Sequence, residues 1–215
     1  MNRDMASSNA VVGLIAAVVA IIAGARAFAA DTANPDWPCT QRKVATLTSA
    51  QIWDGPAVDD LPQWRDNAET EKLVAVLASR RVSLEEAAGA IARFAQAQPQ
   101  DKRDEALKLL FAGVLSTINN ERAIVMRGIE RFQRRQRTRA AEIERQGVAI
   151  RQLKAKAASD EKARAELTQA QEKYDWEVRI FSERQASLPL ACEVPTLLEQ
   201  RVFELAREIR GRMSD

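Results

Sequence analysis

The chemistry open to this chain is narrow, because its 215 residues include no histidine and only two cysteines. Without imidazole there is no Ser-His-Asp or Cys-His relay, no His-ligated haem and no ordinary His-containing zinc site. Two thiolates do not close a four-thiolate site, and Cys39 and Cys192 are not in a C-x-x-C arrangement. They read instead as a structural disulfide. Both lie beside proline in loop-like contexts, Trp37-Pro38-Cys39 and Pro189-Leu190-Ala191-Cys192-Glu193-Val194-Pro195. A staple between irregular segments fits those contexts. In the chain-entropy model it restricts the unfolded state by roughly 5 kcal/mol. The alternative is an intermolecular bond that makes a homodimer.

Three other constellations are weaker. Asp54, Asp59 and Asp60 cluster near Gly55, but without the alternating acids, central Gly and distal Glu of a calcium loop. They read as turn and cap residues. Ser159-Asp160-Glu161-Lys162 has the form of the S-x-x-K nucleophile motif, yet S-D-N and K-T-G companions are absent. No carboxylate pair is set in the apolar, glycine-rich context that would single it out for glycoside hydrolysis. No catalytic residue, metal ligand or cofactor site is therefore assigned.

The strongest charged feature is the run Arg122, Arg127, Arg131, Arg134, Arg135, Arg137 and Arg139, opposed locally only by Glu130. One use is an anion-binding or partner-binding face, carried by Arg131, Arg134, Arg135, Arg137 and Arg139. Its ligands would be an acidic protein, anionic lipid or wall polymer. The plainer use is pairing with Asp175, Glu177 and Glu183 on a returning helix. Even then a surplus remains, with Arg134, Arg135 and Arg137 expected on an outer basic face.

These residues need elements to hold them. Residues 1–29 have the layout of a secretory signal peptide: Arg3 in a polar start, an apolar run from Ala10 to Gly24, and Ala27-Phe28-Ala29 before the cut. The run is short for a membrane span, which takes about 20 residues; an uncleaved inner-membrane anchor is the alternative. Cleavage removes Arg3, Arg26 and Asp4, so the net charge falls from +2 to +1. That balance, with export, argues against nucleic-acid binding.

Residues 30–65 form an irregular segment with Trp37, Trp53 and Trp64, broken by Pro35, Pro38, Pro56 and Pro62. It is expected to wrap a helical body and insert its rings, with one short helix near Ser49 to Trp53. Helical period starts at Asp66. Short helices are expected at 66–80 and 84–98, the second opened by a Ser83/Glu86 capping box. Asp101 is expected to cap a long third helix with Asp104 and Glu105 in its first turn.

Beyond Ile118 the apolar pattern narrows to a coiled-coil seam: Val125, Ile129, Phe132, Gln136, Arg139, Ile143, Gln146, Ile150, Leu153 and Ala157. Ser159 is expected to cap a return helix with the stripe Ala163, Leu167, Ala170, Tyr174, Val178 and Phe181, ending at Pro189. Antiparallel pairing then sets Leu153 on Leu167, Ile150 on Ala170 and Ile143 on Val178. A last helix is expected at 196–212. The fold class is all-α: a compact helical body from residues 66–130 and 189–215, with a coiled-coil hairpin arm at 131–188.

A long hairpin gives its residues to surface instead of pocket. The expected protein is therefore a non-enzymatic, exported, periplasmic scaffold, adaptor or assembly factor, whose arm binds an envelope protein. A periplasmic chaperone or carrier for unfolded or acidic clients is the first alternative, and a wall-polymer hydrolase the second.

Overall fold

The computed structural model describes residues 34–58 and 61–214. The signal-peptide reading, and Asp59 and Asp60 of the acidic cluster, lie outside them. The described residues form five helices and no strand: α1 (Ser49–Ile52), α2 (Ala68–Ala78), α3 (Leu84–Ala97), α4 (Arg103–Ala157) and α5 (Glu161–Arg210). None is long and apolar enough to cross a membrane.

Local chemistry sets most helix starts. Asn67 opens α2 by accepting from the Glu69 and Thr70 amides at 3.1 and 2.9 Å. Ser83 and Glu86 form the expected capping box, each side chain accepting the other's amide at 3.1 and 2.9 Å. Those bonds from Ser83 hold the Glu86 carboxyl below its usual range. Two expected caps are corrected. Lys102 rather than Asp101 precedes α4 and gives no side-chain cap, leaving Asp104 and Glu105 to complement the dipole. At the reversal Asp160 accepts from the Lys162 amide at 2.9 Å, while Ser159 closes the preceding turn on Lys156.

The largest correction concerns α5, which does not stop at Pro189. It runs unbroken through Pro189 and Pro195 for 50 residues, so the return helix and the last helix are one. A proline inside a helix costs about 3 kcal/mol. Here the chain is held on both sides of the defect. Leu188, Ala191 and Cys192 pack at the arm's base, and Leu198, Val202, Leu205 and Ile209 are buried in the body.

The body core joins Val74 and Leu77 of α2, Ile91 and Phe94 of α3, and Leu107, Phe111, Val114 and Ile118 of α4 to that stripe of α5. Two of the three wrapping-segment tryptophans meet it as expected, whereas Trp37 packs in a separate cluster. Trp53 stacks on Phe111 with centroids 4.3 Å apart, its indole N–H donating to Pro56 at 2.8 Å. Trp64 lies over Gly113, where a Cβ would fall 2.6 Å from Val74 and 3.0 Å from Trp64; a larger residue there must displace them. Arg201, buried on α5, donates to the last carbonyls of α2 and the turn after it, Leu77 at 2.7 Å and Val82 at 2.9 Å. Burial lowers its pKa, only partly opposed by Glu121.

α4 and α5 extend past this core as an antiparallel hairpin. Gln146 reaches Glu177 at 3.1 Å and Arg164 reaches the Ala157 carbonyl at 3.1 Å. Tyr174 lies against Gly147. That register places Ile143, Ile150 and Leu153 opposite Val178, Ala170 and Leu167.

Candidate functional site

The arm is built on a reinforced base. Cys39 and Cys192 are disulfide-bonded, with Cα atoms 5.6 Å apart across 153 positions of sequence. Trp37, Met126 and Ile129 pack around the bond in a small second core. The Trp37 indole donates to the Gln41 carbonyl at 2.8 Å, and Gln41 donates to the Cys192 carbonyl. About two turns nearer the body, Asn119 holds the Leu47 backbone from both sides, accepting and donating at 2.9 Å. Arg122, 1 % exposed, donates to the Val44 carbonyl at 3.1 Å and pairs with Glu199. It is a bolt inside the base, not part of an anion-binding face.

The seam of the arm is polar. Gln136 is buried, and Gln133, Gln146 and Gln185 each bury a side-chain carbonyl oxygen that has no donor among the described residues. Between residues 131 and 188 only Gln136, Ile150, Ala157 and Ala163 among the described residues are buried. The arm has little core of its own.

The five arginines assigned to an anion-binding face do not share one. Arg134 and Arg137 both grip Asp36, at 2.9 and 3.0 Å, an acid 98 positions away from the first of them. Arg139 pairs with Glu177 at 3.3 Å. Of the three acids expected on the returning helix, Glu177 alone forms an ion pair among the described residues. Arg131 and Arg135 are exposed, without an ion pair among the described residues. Glu130, beside them, accepts from Asn34 and Lys43. Burial raises its pKa, but those hydrogen bonds and the charges of Lys43 and Arg134 outweigh it, and the carboxyl ends below its ordinary range.

The wrapping segment therefore covers one side of the hairpin's base. The other side is open and grooved. Beside Ile129, a cleft of about 280 Å³ is walled by Val125, Phe132, Leu188, Ala191 and Val194. Gly128 lies in its floor, and a Cβ there would meet nothing within 4 Å. Toward the body the cleft continues through Val125 and Val194 to Ser79, Arg80, Arg81 and Glu121. One turn further along the arm from Phe132 lies a separate, basic cleft of about 460 Å³ formed by Arg135, Arg139, Glu142, Arg145 and Arg184. Glu142 is tied to Arg145 by a hydrogen bond that holds its pKa down. Among the described residues no group of three or more Cys, Asp or Glu is placed to hold a metal ion.

Fold and site together define an all-α protein with a disulfide-stapled base and a projecting helical hairpin. No family model matches the chain, and no curated protein or solved structure is detectably similar to it.

Sequence reasoning missed Asp36 as a partner of the arginines, and the groove with Gly128 and Arg184. A glycine in the middle of a long helix was the available signal for the groove.

Proposed function

We propose that this is an exported, non-enzymatic scaffold or assembly factor that binds a protein of the cell envelope through its hairpin arm. The observation that carries the reading is the reach of the arm. From Phe132 to Ala157 it projects roughly 40 Å at about 1.5 Å per residue, sheathed by little but its own partner helix, α5. A structure that invests two long helices in exposed surface offers contact area and reach, the properties a tether or assembly platform uses. The disulfide supports an oxidising compartment, and the apolar run Ala10 to Gly24 supports export to the periplasm.

The test is deletion of the arm. Residues 131–187 are replaced by a short linker, which removes the arm with the arm-side end of its cleft, Phe132, Arg135, Arg139 and Arg184, and leaves the disulfide and the body in place. The melting transition should survive while association with the envelope partner disappears. Retained association would place the partner on the body and end the reading. A second reading, a chaperone for acidic clients, draws on the uncompensated arginines of the arm. It is distinguished by many weak clients in place of one stoichiometric partner.

A further inference from the structure

Taking the arm as the contact surface, we infer that its open side is a helix-docking groove, and that its occupant is a partner's amphipathic α-helix carrying acidic residues at both ends. The inference rests on that reading and gives it a site and a chemistry.

Three observations converge. The first is asymmetry. Glu130, Arg134 and Arg137 hold Asn34 and Asp36, so the wrapping segment covers their side of α4. At about 100° per residue, Gly128 lies roughly 200° around the helix from Glu130, on the side this segment leaves bare. The second is Gly128 itself. Gly113, on the same helix, is needed because Val74 and Trp64 press on it, whereas nothing among the described residues occupies the space beside Gly128. A bare backbone in the floor of an apolar cleft permits close approach of another helix.

The third is charge. The apolar centre around Val125, Phe132, Ala191 and Val194 is bounded on both sides by cations. Arg80 and Arg81 against Glu121 bound one end. Arg135, Arg139, Arg145 and Arg184 against Glu142 and Glu177 bound the other. Each end keeps a positive surplus. From Glu121 to Arg145 the groove runs about 36 Å, the length of a helix of about 24 residues.

These charges select the occupant. A second copy docked about a two-fold axis sets cationic ends against cationic ends. The chain's own apolar run, Ala10 to Gly24, has Arg3 beside Asp4 before it and Arg26 ahead of Asp31 after it, so each flank is neutral in sum and supplies no net acid to either cluster. An acid-ended helix neutralises both clusters and seats its apolar middle over Gly128.

The probe is a labelled synthetic helix of about 24 residues, with Leu and Ala on one face and Glu at both ends. Its twin carries Lys in place of Glu. Fluorescence anisotropy should show the Glu-ended helix binding at least about tenfold tighter, with the preference shrinking as salt rises. Gly128→Leu, which fills open space, should abolish binding while circular dichroism and melting are retained. Arg135→Glu with Arg184→Glu should reverse the preference between the two helices. Equal binding of both helices overturns the inference, as does undiminished binding by folded Gly128→Leu.

In producing cells, a photo-crosslinker at Phe132 or Ser187 is compared with one at Val148, on the other side of the arm. Adducts from the groove positions to a protein with an acid-ended amphipathic helix support the inference. Adducts from Val148 alone overturn it while leaving the arm as the contact surface. Self-adducts or lipid adducts at the groove overturn it in favour of those occupants. No adduct from any arm position removes both the groove and the arm reading.

Discussion

Two glycines on one helix make the sharpest contrast at the residue scale. Gly113→Ala pushes a methyl into Val74 and Trp64 and should destabilise by about 1–3 kcal/mol, the usual cost of overpacking. Gly128→Ala meets nothing within 4 Å and should stabilise by about 0.5–1 kcal/mol through helix propensity alone. Denaturant midpoints of the two variants should move in opposite directions. Glu130 supplies a pH test. A carboxyl whose pKa is lower folded than unfolded stabilises fully above the unfolded value, about 4.3. That contribution is lost as pH falls through the folded value. Glu130→Gln should therefore lower the melting temperature at pH 7, and the gap to wild type should close as pH drops below about 4. An undiminished gap in acid would assign the loss to packing rather than to charge. Neither Glu130's partners nor Asp36's grip on Arg134 and Arg137 was legible in sequence, because they are separated by roughly a hundred positions. The Ser83–Glu86 box was legible because its reach is three.

Among the elements, the helices were readable wherever the decision was local. The seam from Val125 to Ala157 and the stripe from Ala163 to Phe181 gave the hairpin and its register, since a coiled-coil repeat is written in the chain itself. Pro189 misled because proline's cost is also local, while what outweighs it is not. From nine residues beyond it, Leu198 to Ile209 fall into a core assembled from three other helices. Pro189 is exposed, so Pro189→Ala should remove the penalty at little loss of packing. A gain of about 1–3 kcal/mol is expected, read as a higher melting temperature with undiminished helical circular dichroism. Pro195 is buried, and its replacement by Ala should return less because a cavity offsets part of the gain. The caps shifted by a single residue at Lys102 and Asp160, where neighbouring acids and hydroxyls offered near-equal choices.

For the whole molecule, composition and period were enough to foresee an all-α body with an arm, but not the open groove. A groove is defined by what fails to cover it, and that depends on the path of residues 34–48, which have no period to read. The disulfide is the one long-range link that counting alone supplied. Reduction, or Cys39→Ser, should lower stability by about 2–4 kcal/mol, below the entropy-model ceiling of roughly 5. The loss should be accompanied by release of Trp37 from its buried site, seen as a red shift of tryptophan emission. An unchanged melting temperature would mean that the second core and the Arg122 bolt hold the base unaided.

The distance between the two cysteines has a further consequence in time. A ribosome adds about 5–20 residues per second, so Cys39 precedes its partner by roughly 8 to 30 s across the 153 intervening positions. Throughout that interval the growing chain offers it no other thiol. Mispairing within the chain is thus excluded by number, and the bond can close only after α4 has turned at Asp160 and brought α5 back to the base. Oxidation of this pair is in effect a completion signal, and a newly made molecule with a reactive Cys39 is one whose hairpin has not yet returned.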